Sequence, residues 1–369
     1  MQDKPFFREL AQDGARDFKA GRLDRRQFLA LCALAGVVPQ LVAAGDAEAA
    51  ANEIVMWNWG GDAIKCHTDA FGAPFAKDSG LGFKIDSSGP LQGKIVEMVK
   101  SGNVTADVAD ADAFDAIALG KKGDLEAIDY SIVSKDKVLK GFAWDYGISM
   151  VFYGYAFMYD TQKFKDNPPS TWADFWDTKK YPGKRSLYKW ANGSIEAALM
   201  ADGVAKDKVY PCDLPRALAK IKQIKADTFY WGSGSEAQQM VVNGDVSMGM
   251  VWLNRAKIVE SDTNGRYKLN MNQAIAMPGA YIVPKGNPAG RENVMKFIAS
   301  CQTPERQIAL LECHGMTPTN PAAFPLIPEN LKRFTVTSAD NMDKVLFNDP
   351  VWWADNGGDA VNKFLEAIG

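Results

Sequence analysis

Residues 147–159 read GISMVFYGYAFMY, a β-prone run that is long for a strand of a globular protein. A second such run, QAIAMPGAYIVP, occupies residues 273–284. The block between them alternates turns, strands and helices of its own, so it can bury a separate core. Two crossings predict a discontinuous first lobe, residues 50–157 plus 275–369, and an inserted second lobe, residues 158–274. The C-terminal helices are expected to pack on the first lobe or across both.

The length and charge of the chain fit that organisation. A chain of 369 residues exceeds the roughly 250–300 at which a single core stops growing. The hydrophobic fraction of 47% and the charged fraction of 24% are ordinary for a globular protein. A formal net charge of −3 provides no positive field for a phosphate backbone, so nucleic acid is excluded as a partner.

Strand-like and helix-like segments alternate before the first crossing. The pairs are a strand at 53–59 with a helix at 63–77, a strand at 82–87 with a helix at 91–101, and a strand at 106–112 with a helix at 113–121. This alternation predicts an α/β fold in which each lobe is a mostly parallel sheet flanked by helices. The ligand cleft is expected between the two lobes.

The N-terminal segment, residues 1–49, has the features of an export signal. Paired arginines in DRRQFL at 24–29 come just before an apolar run at 28–44, and small residues follow it. The run is too short, and too interrupted by proline, for an uncut membrane anchor. The pattern resembles a twin-arginine signal cleaved near Ala49/Ala50, so we expect the export machinery as a partner and the periplasm as the destination.

The mature chain keeps four of the five cysteines, Cys66, Cys212, Cys301 and Cys313. The periplasm permits disulfides, but sequence alone leaves the pairing open. None of the four has a Cys-x-x-Cys spacing, and each of the two histidines directly follows a cysteine. A four-ligand zinc site is therefore not indicated, and we expect neither a metal nor a cofactor.

Several short motifs stand in a recognisable order along the mature chain. They are NW at 58–59, DV at 107–108, TWADFW at 171–176, GMVW at 249–252 and TPTN at 317–320. From about Glu53 to the C-terminus, these motifs resemble the periplasmic spermidine/putrescine-binding proteins of ABC importers. The resemblance implies a two-lobed type II periplasmic binding fold and a monomer that closes on a small-molecule solute. It also implies docking onto an inner-membrane ABC permease and no enzymatic activity.

The resemblance assigns aromatic ligand contacts but not the expected acidic ones. Trp59, Trp231 and Trp252 match the family's aromatic positions, which enclose the methylene groups of the ligand. The stretch YKWANGS at 188–194, where the family places carboxylates, holds no acid. Arg255 adds a guanidinium close to the expected pocket, where it would repel a cation. These departures argue against a simple diamine or triamine as the ligand.

Two helix starts, at 192–194 and 232–235, expose backbone N–H groups that favour an anion, and Arg255 would add a forked donor. Ordinary capping also explains Ser194 and Ser235.

Carboxylates on the opposite lobe would suit an amine. Asp62 and Asp112 follow strands and can present carboxylates to the cleft, with helix capping again as the alternative. Trp57 and Trp59 are two apart, so both are expected to point the same way. The predicted ligand is a small amine-containing, zwitterionic solute that is polyamine-like, opine-like or an amino-acid derivative. The candidate ligand-binding residues are Trp59, Asp62, Asp112, Trp190, Ser194, Trp231, Ser235, Trp252, Arg255 and Tyr281.

The alternatives are a secreted hydrolase, or an anion- or metal-binding protein on the same two-lobed fold. The sequence contains no P-loop, no Gly-x-Ser-x-Gly and no His-Glu-x-x-His. Cys66 and His67 are adjacent, but neighbouring side chains point apart and do not form a nucleophile–base pair. The tyrosine pairs that bind iron in related proteins are also absent.

Overall fold

The structure is a computed structural model that describes residues 52–369. The export signal predicted at 1–49, with its cleavage near Ala49/Ala50, lies outside the described residues. The strands are β1 (Glu53–Trp57), β2 (Gly82–Asp86), β3 (Val108–Asp112), β4 (Ala143–Trp144), β5 (Gly147–Asp160), β6 (Arg185–Tyr188), β7 (Thr228–Trp231), β8 (Met248–Trp252), β9 (Tyr267–Ile282), β10 (Thr317–Pro318) and β11 (Leu346–Phe347).

The helices lie between and after these strands. They are α1 (Asp62–His67), α2 (Ala73–Ser79), α3 (Gln92–Lys100), α4 (Ala113–Lys122), α5 (Trp172–Trp176), α6 (Ala191–Ala201), α7 (Leu214–Gln223), α8 (Gly234–Val242), α9 (Leu253–Asp262), α10 (Arg291–Cys301), α11 (Pro304–His314), α12 (Glu329–Lys332) and α13 (Pro350–Ile368). No helix within residues 52–369 combines the length and apolar character needed to cross a bilayer.

The strands form one sheet with two parallel groups. Its main order is β2-β1-β3-β9-β5-β8-β6-β7. The pairs of β1 with β2 and β3 are parallel, as are those of β6 with β7 and β8. In this order the central strands β5 and β9 pair with each other, and with β8 and β3, in antiparallel fashion, while the short β11 pairs with β9 in parallel. The α/β class is as predicted, with the parallel groups separated by two antiparallel strands.

The strands β5 and β9 run from one parallel group to the other. Near its start β5 pairs with the end of β9, as Ile148 does with Tyr281, and farther along it pairs with β8, as Tyr155 does with Trp252. The end of β9 pairs with β3. β5 is almost entirely buried, as is β9 from Ala274 onward, whereas the first part of β9 is partly exposed. They correspond to the β-prone runs read at 147–159 and 273–284.

The helix predicted at 63–77 is interrupted. A π-helical turn, Thr68–Gly72, separates α1 from α2. Pro74 follows this turn, and it has no backbone N–H to continue the regular helical ladder. The chain in this region therefore forms two short helices joined by a wider turn.

One disulfide joins two helix ends. Cys66 of α1 is bonded to Cys313 of α11, while Cys212 and Cys301 are free thiols. Because Cys66 is tied up in a disulfide, it is not the nucleophile of a Cys-His pair with His67.

Candidate functional site

Three strand ends meet at one edge of the sheet. The parallel strands β7, β6 and β8 end at Trp231, Tyr188 and Trp252, and α8, α6 and α9 begin within a few residues of those ends. The carboxyl edge of parallel strands is where ligands bind in open α/β sheets. The turns after these strands, residues 188–194, 231–235 and 252–255, therefore form one wall of the candidate site.

Four aromatic side chains pack together along this wall. Tyr188 stacks on Trp231 with ring centroids 4.5 Å apart, and Trp252 lies 5.4 Å from Trp231. Tyr155 of β5 stacks on Tyr188 from the other side at 5.7 Å. We call Tyr155, Tyr188, Trp231 and Trp252 the aromatic cluster. Trp231 and Tyr155 are buried in the core, whereas Tyr188 and Trp252 are partly exposed, so the latter two can offer ring surface to a solute.

A carboxyl group adjoins the cluster from the other parallel group of strands. Asp112, the last residue of β3, accepts a 2.7 Å hydrogen bond from the Tyr153 hydroxyl. The Tyr153 ring lies 6.0 Å from that of Tyr155. Burial, together with the nearby charge of Asp112, raises the pKa of Tyr188 to about 12. Asp112 is therefore close enough to the aromatic cluster to influence it electrostatically.

The environment of Asp112 holds a second acid and lacks a cation. Burial, then repulsion from Asp115, raises the pKa of Asp112 above the ordinary carboxyl value of 3.8. Asp115 itself accepts hydrogen bonds from the Gln92 amide at 2.5 Å and from the Asp112 backbone at 3.2 Å. Within residues 52–369, neither acid forms an ion pair with Lys or Arg. An ammonium group at this position would relieve the repulsion.

Arg255, in the first turn of α9, is the matching cation. It makes no hydrogen bond or ion pair with any described residue, and its Nε is buried. A Cβ built on Gly234 would lie 2.7 Å from the Trp252 ring and 3.2 Å from Arg255 Nε. Because Gly234 has no side chain, the start of α8 can lie close to both the Trp252 ring and the Arg255 guanidinium. Arg255 as a whole is partly exposed, so its buried Nε–H is the group that lacks an acceptor, and a bound anion would supply one.

Unpaired polar atoms gather in the three turns of the wall. Native proteins pair most of their buried polar groups, so such a concentration indicates a place for a ligand. In these turns, the buried atoms without a partner among the described residues are Asn192 Oδ1, Trp231 Nε1, Asn254 Oδ1 and Arg255 Nε. The Trp252 N–H, in contrast, is close enough to the Tyr155 hydroxyl to oppose the rise that burial causes in the pKa of Tyr155. Two of the four unpaired atoms are N–H donors and two are amide oxygens, so the wall can recognise both acceptor and donor groups of a solute.

The two helix starts predicted to hold an anion are occupied by glutamates of the same chain. The Gly193 N–H donates to Glu196 Oε2 at 2.7 Å, and the Gly232 N–H donates to Glu236 Oε2 at 2.7 Å. The N-cap of α8 is Ser233, whereas the Ser235 side chain is exposed beside it.

The Ser194 hydroxyl is likewise engaged, because it donates to the Tyr188 carbonyl at 3.2 Å. These two serines are therefore local structural contacts, and Arg255 remains as the anion-binding candidate.

The other predicted residues differ in exposure, and Trp190 belongs to the turn 188–194 of the wall. Trp59 and Trp190 are 54% and 46% exposed, whereas Tyr281 is fully buried. The Tyr281 ring packs between those of Phe71 and Phe297, in the layer between the sheet and its helices. The place of Tyr281 in β9 directs its ring toward that layer, its hydroxyl has no partner among the described residues, and its role in the cleft stays a prediction.

The expectation that Trp57 and Trp59 point the same way was wrong. β1 ends at Trp57, which is buried and donates to the Ser88 hydroxyl. Asn58 then turns inward and donates to Asp110 at 2.9 Å, which leaves Trp59 exposed. Strand alternation does not continue past the end of the strand.

A cavity of about 360 Å³ lies beside the wall. Asp62, the exposed first residue of α1, lines it together with Arg255 and His314. Asp62 and Arg255 therefore share a cavity, and the residues that line it include neither Asp112 nor a member of the aromatic cluster.

Known proteins resemble this chain over most of its length. The family model of bacterial extracellular solute-binding proteins matches residues 70–335. The gamma-aminobutyric acid-binding protein of Pseudomonas aeruginosa is 26% identical over 336 residues, 88% of this chain and 93% of that protein. A solved GABA receptor superposes with a TM-score of 0.80 at 30% identity, over 86% of this chain and 98% of the receptor. The glucopine complex of MotA from A. tumefaciens B6 gives a TM-score of 0.76 at 27% identity, with 86% and 100% covered.

Proposed function

The chain belongs to the bacterial extracellular solute-binding proteins, and from that premise we propose that it is the periplasmic receptor of an ABC importer for a small zwitterionic amine. It has the two-lobed type II fold that its sequence predicted. The cleft between the lobes is where this fold holds a solute. The chemistry of the side chains at the aromatic cluster supports the class of solute.

The observation that carries the proposal is the unpaired Arg255 beside the aromatic cluster. Arg255 Nε is a buried N–H donor without a partner among residues 52–369. A carboxylate of the solute would accept from the guanidinium in a forked arrangement and neutralise its charge. Spermidine and putrescine carry no anionic group and would leave Arg255 unpaired. We therefore propose a zwitterion as the ligand, in place of the polyamine that the resemblance of the motifs suggests.

The amine of the solute is assigned to Asp112. The uncompensated Asp112–Asp115 pair favours a positive charge. The aromatic cluster adjoins Asp112 through Tyr153 and Arg255 through Trp252, and its rings suit aliphatic carbons. Gamma-aminobutyric acid, the solute named for two relatives, has an ammonium and a carboxylate joined by methylene groups. It serves as the first probe of this proposal.

The export route and the protein partners are the remaining parts of the proposal. We infer export by the twin-arginine machinery, cleavage of the signal near Ala49/Ala50, and action in the periplasm as a monomer that delivers solute to an inner-membrane permease. The lobes are taken as residues 50–157 plus 275–369 and residues 158–274. No catalytic role is assigned to the chain, because the arrangement at Arg255 and Asp112 binds charges and contains no nucleophile.

Thermal unfolding tests the class of solute directly. At 100 times its dissociation constant, a zwitterion such as gamma-aminobutyric acid should stabilise the mature protein by about 2.7 kcal/mol. Putrescine and butyrate, which each keep one of the two charges, should give much smaller shifts. Equal shifts for all three compounds, or none for any zwitterion, would contradict the proposal.

Binding is also expected to release protons. Because burial and Asp115 raise the pKa of Asp112, part of the free protein is protonated there at neutral pH. The ammonium of the solute lowers that pKa, so affinity rises with pH between the lowered pKa of the complex and the raised pKa of about 8 in the free protein, and levels off above it. The slope is at most about tenfold per pH unit for one proton.

Calorimetry in buffers of different ionisation enthalpy measures the number of protons released at pH 6, 7 and 8. The Asp112→Asn variant is the control, because it cannot lose this proton. A wild-type affinity that falls as pH increases would refute the role of Asp112.

A further inference from the structure

A fully buried carboxyl group connects the turn after β6 to the C-terminal segment. Glu196 of α6 is 0% exposed, and its Oε2 accepts from the Gly193 N–H at 2.7 Å. Its Oε1 accepts from Trp353 Nε1 at 2.8 Å and Asn348 Nδ2 at 3.0 Å, and also contacts the Tyr210 hydroxyl. Trp353 belongs to α13, which packs against both α4 and α6.

The two carboxyl oxygens of Glu196 face different regions. Oε1 faces the C-terminal segment, whereas Oε2 faces only the Gly193 turn. Gly193 has a φ of 81°, and a Cβ on it would lie 2.5 Å from the Tyr155 ring. The turn is therefore pressed against the aromatic cluster. Its neighbour Asn192 is 4% exposed and holds one of the unpaired oxygens of the wall.

We propose that Glu196 is a positioning residue for solute binding, whose Oε2 holds the Asn192–Gly193 turn against Tyr155 so that the Asn192 oxygen is preset to accept an N–H of the solute. This inference rests on the proposed function. Glu196 itself contacts no solute, since all its contacts are within the chain and its side chain is buried. Its effect on binding is transmitted through the turn.

The Glu196→Gln variant separates positioning from folding. The amide oxygen of glutamine can replace Oε1 and keep the Trp353 and Asn348 hydrogen bonds. The amide nitrogen then faces the Gly193 N–H, so two donors oppose each other and the turn must move. The matched control is Tyr210→Phe, which removes a hydroxyl from the Oε1 side and leaves the Gly193 contact intact.

The experiment measures two quantities on wild type, E196Q and Y210F. Calorimetry gives Kd for gamma-aminobutyric acid, and hydrogen exchange gives the protection of residues 188–196. We expect E196Q to weaken binding about tenfold, the size of one mispaired buried hydrogen bond, and to exchange faster in this turn. Y210F should lower the melting temperature while leaving both quantities near wild type.

Each outcome decides one of the two proposals. If wild type binds the probe and E196Q binds it equally well, the positioning role is wrong and the proposed function stands. If E196Q and Y210F lose affinity in proportion to their loss of stability, Glu196 is only structural. If wild type binds no zwitterion, the proposed function fails. Unchanged hydrogen exchange of residues 188–196 in E196Q would show that Glu196 does not position the turn.

If E196Q does not fold, Gly193→Ala disturbs the same turn through Tyr155. Normal affinity in that variant would overturn the inference.

Discussion

Replacing Arg255 with alanine is expected to weaken binding of gamma-aminobutyric acid by about 1.5–3 kcal/mol, a roughly 10- to 150-fold increase in Kd. Arg255 is the cation beside the aromatic cluster that has no partner among the described residues, and its Nε is buried. Without it, the carboxylate of the solute would be desolvated against Trp252 and Gly234 with no charge to replace its water. Isothermal calorimetry measures the change.

Two controls separate recognition of the carboxylate from general damage. Arg216 lies in α7 and forms an exposed ion pair with Asp202 at 2.7 Å. Arg216→Ala therefore removes a surface arginine outside the candidate site and should leave Kd unchanged. Butylamine lacks the carboxylate, so its weak binding should not fall in Arg255→Ala. Wild-type affinity for gamma-aminobutyric acid in Arg255→Ala would show that the anionic group is held elsewhere.

The sequence was most informative where the signal was local and continuous. The run at 147–159 stands out because strand-forming residues cover both faces of β5, and the structure gives Gly147–Asp160. The second crossing begins at Tyr267, earlier than predicted. Lys268, Asn270 and Asn272 interrupt the apolar pattern there, so the sequence did not indicate a strand. That part of β9 pairs with the end of β5, and only this long-range pairing defines it as strand.

The site was predicted less completely, for a related reason. Trp231 and Trp252 could be selected because each lies at the end of a strand, and Arg255 because it follows Trp252 closely. Tyr188 ends β6 in the same way and was passed over, although its position offered the same signal. Tyr155 could not be found, because its contact with Tyr188 depends on the pairing of β5 with β8. Ser194 and Ser235 were chosen from helix-start patterns, which do not reveal that Glu196 and Glu236 already satisfy those N–H groups.

Removing the disulfide should produce the largest loss of stability. Cys66 and Cys313 are 247 residues apart, so their bond closes a loop that includes most of the chain. Such a cross-link restricts the unfolded chain, and losing a native disulfide typically costs about 2–5 kcal/mol. For a domain of this size we expect the melting temperature of the Cys66→Ser/Cys313→Ser variant to fall by roughly 5–10 °C. Differential scanning calorimetry of the ligand-free protein measures the change.

The free cysteine Cys301 supplies the matched control, because Cys301→Ser changes a buried sulfur without removing a cross-link. Its cost comes from placing a hydroxyl in an apolar site and does not depend on the redox state of the solution. Wild type treated with dithiothreitol should approach the melting temperature of the double variant, whereas dithiothreitol should not change the double variant. A drop in the reduced wild type no larger than that of Cys301→Ser would mean that packing between α1 and α11, and not the closed loop, holds this part of the fold together.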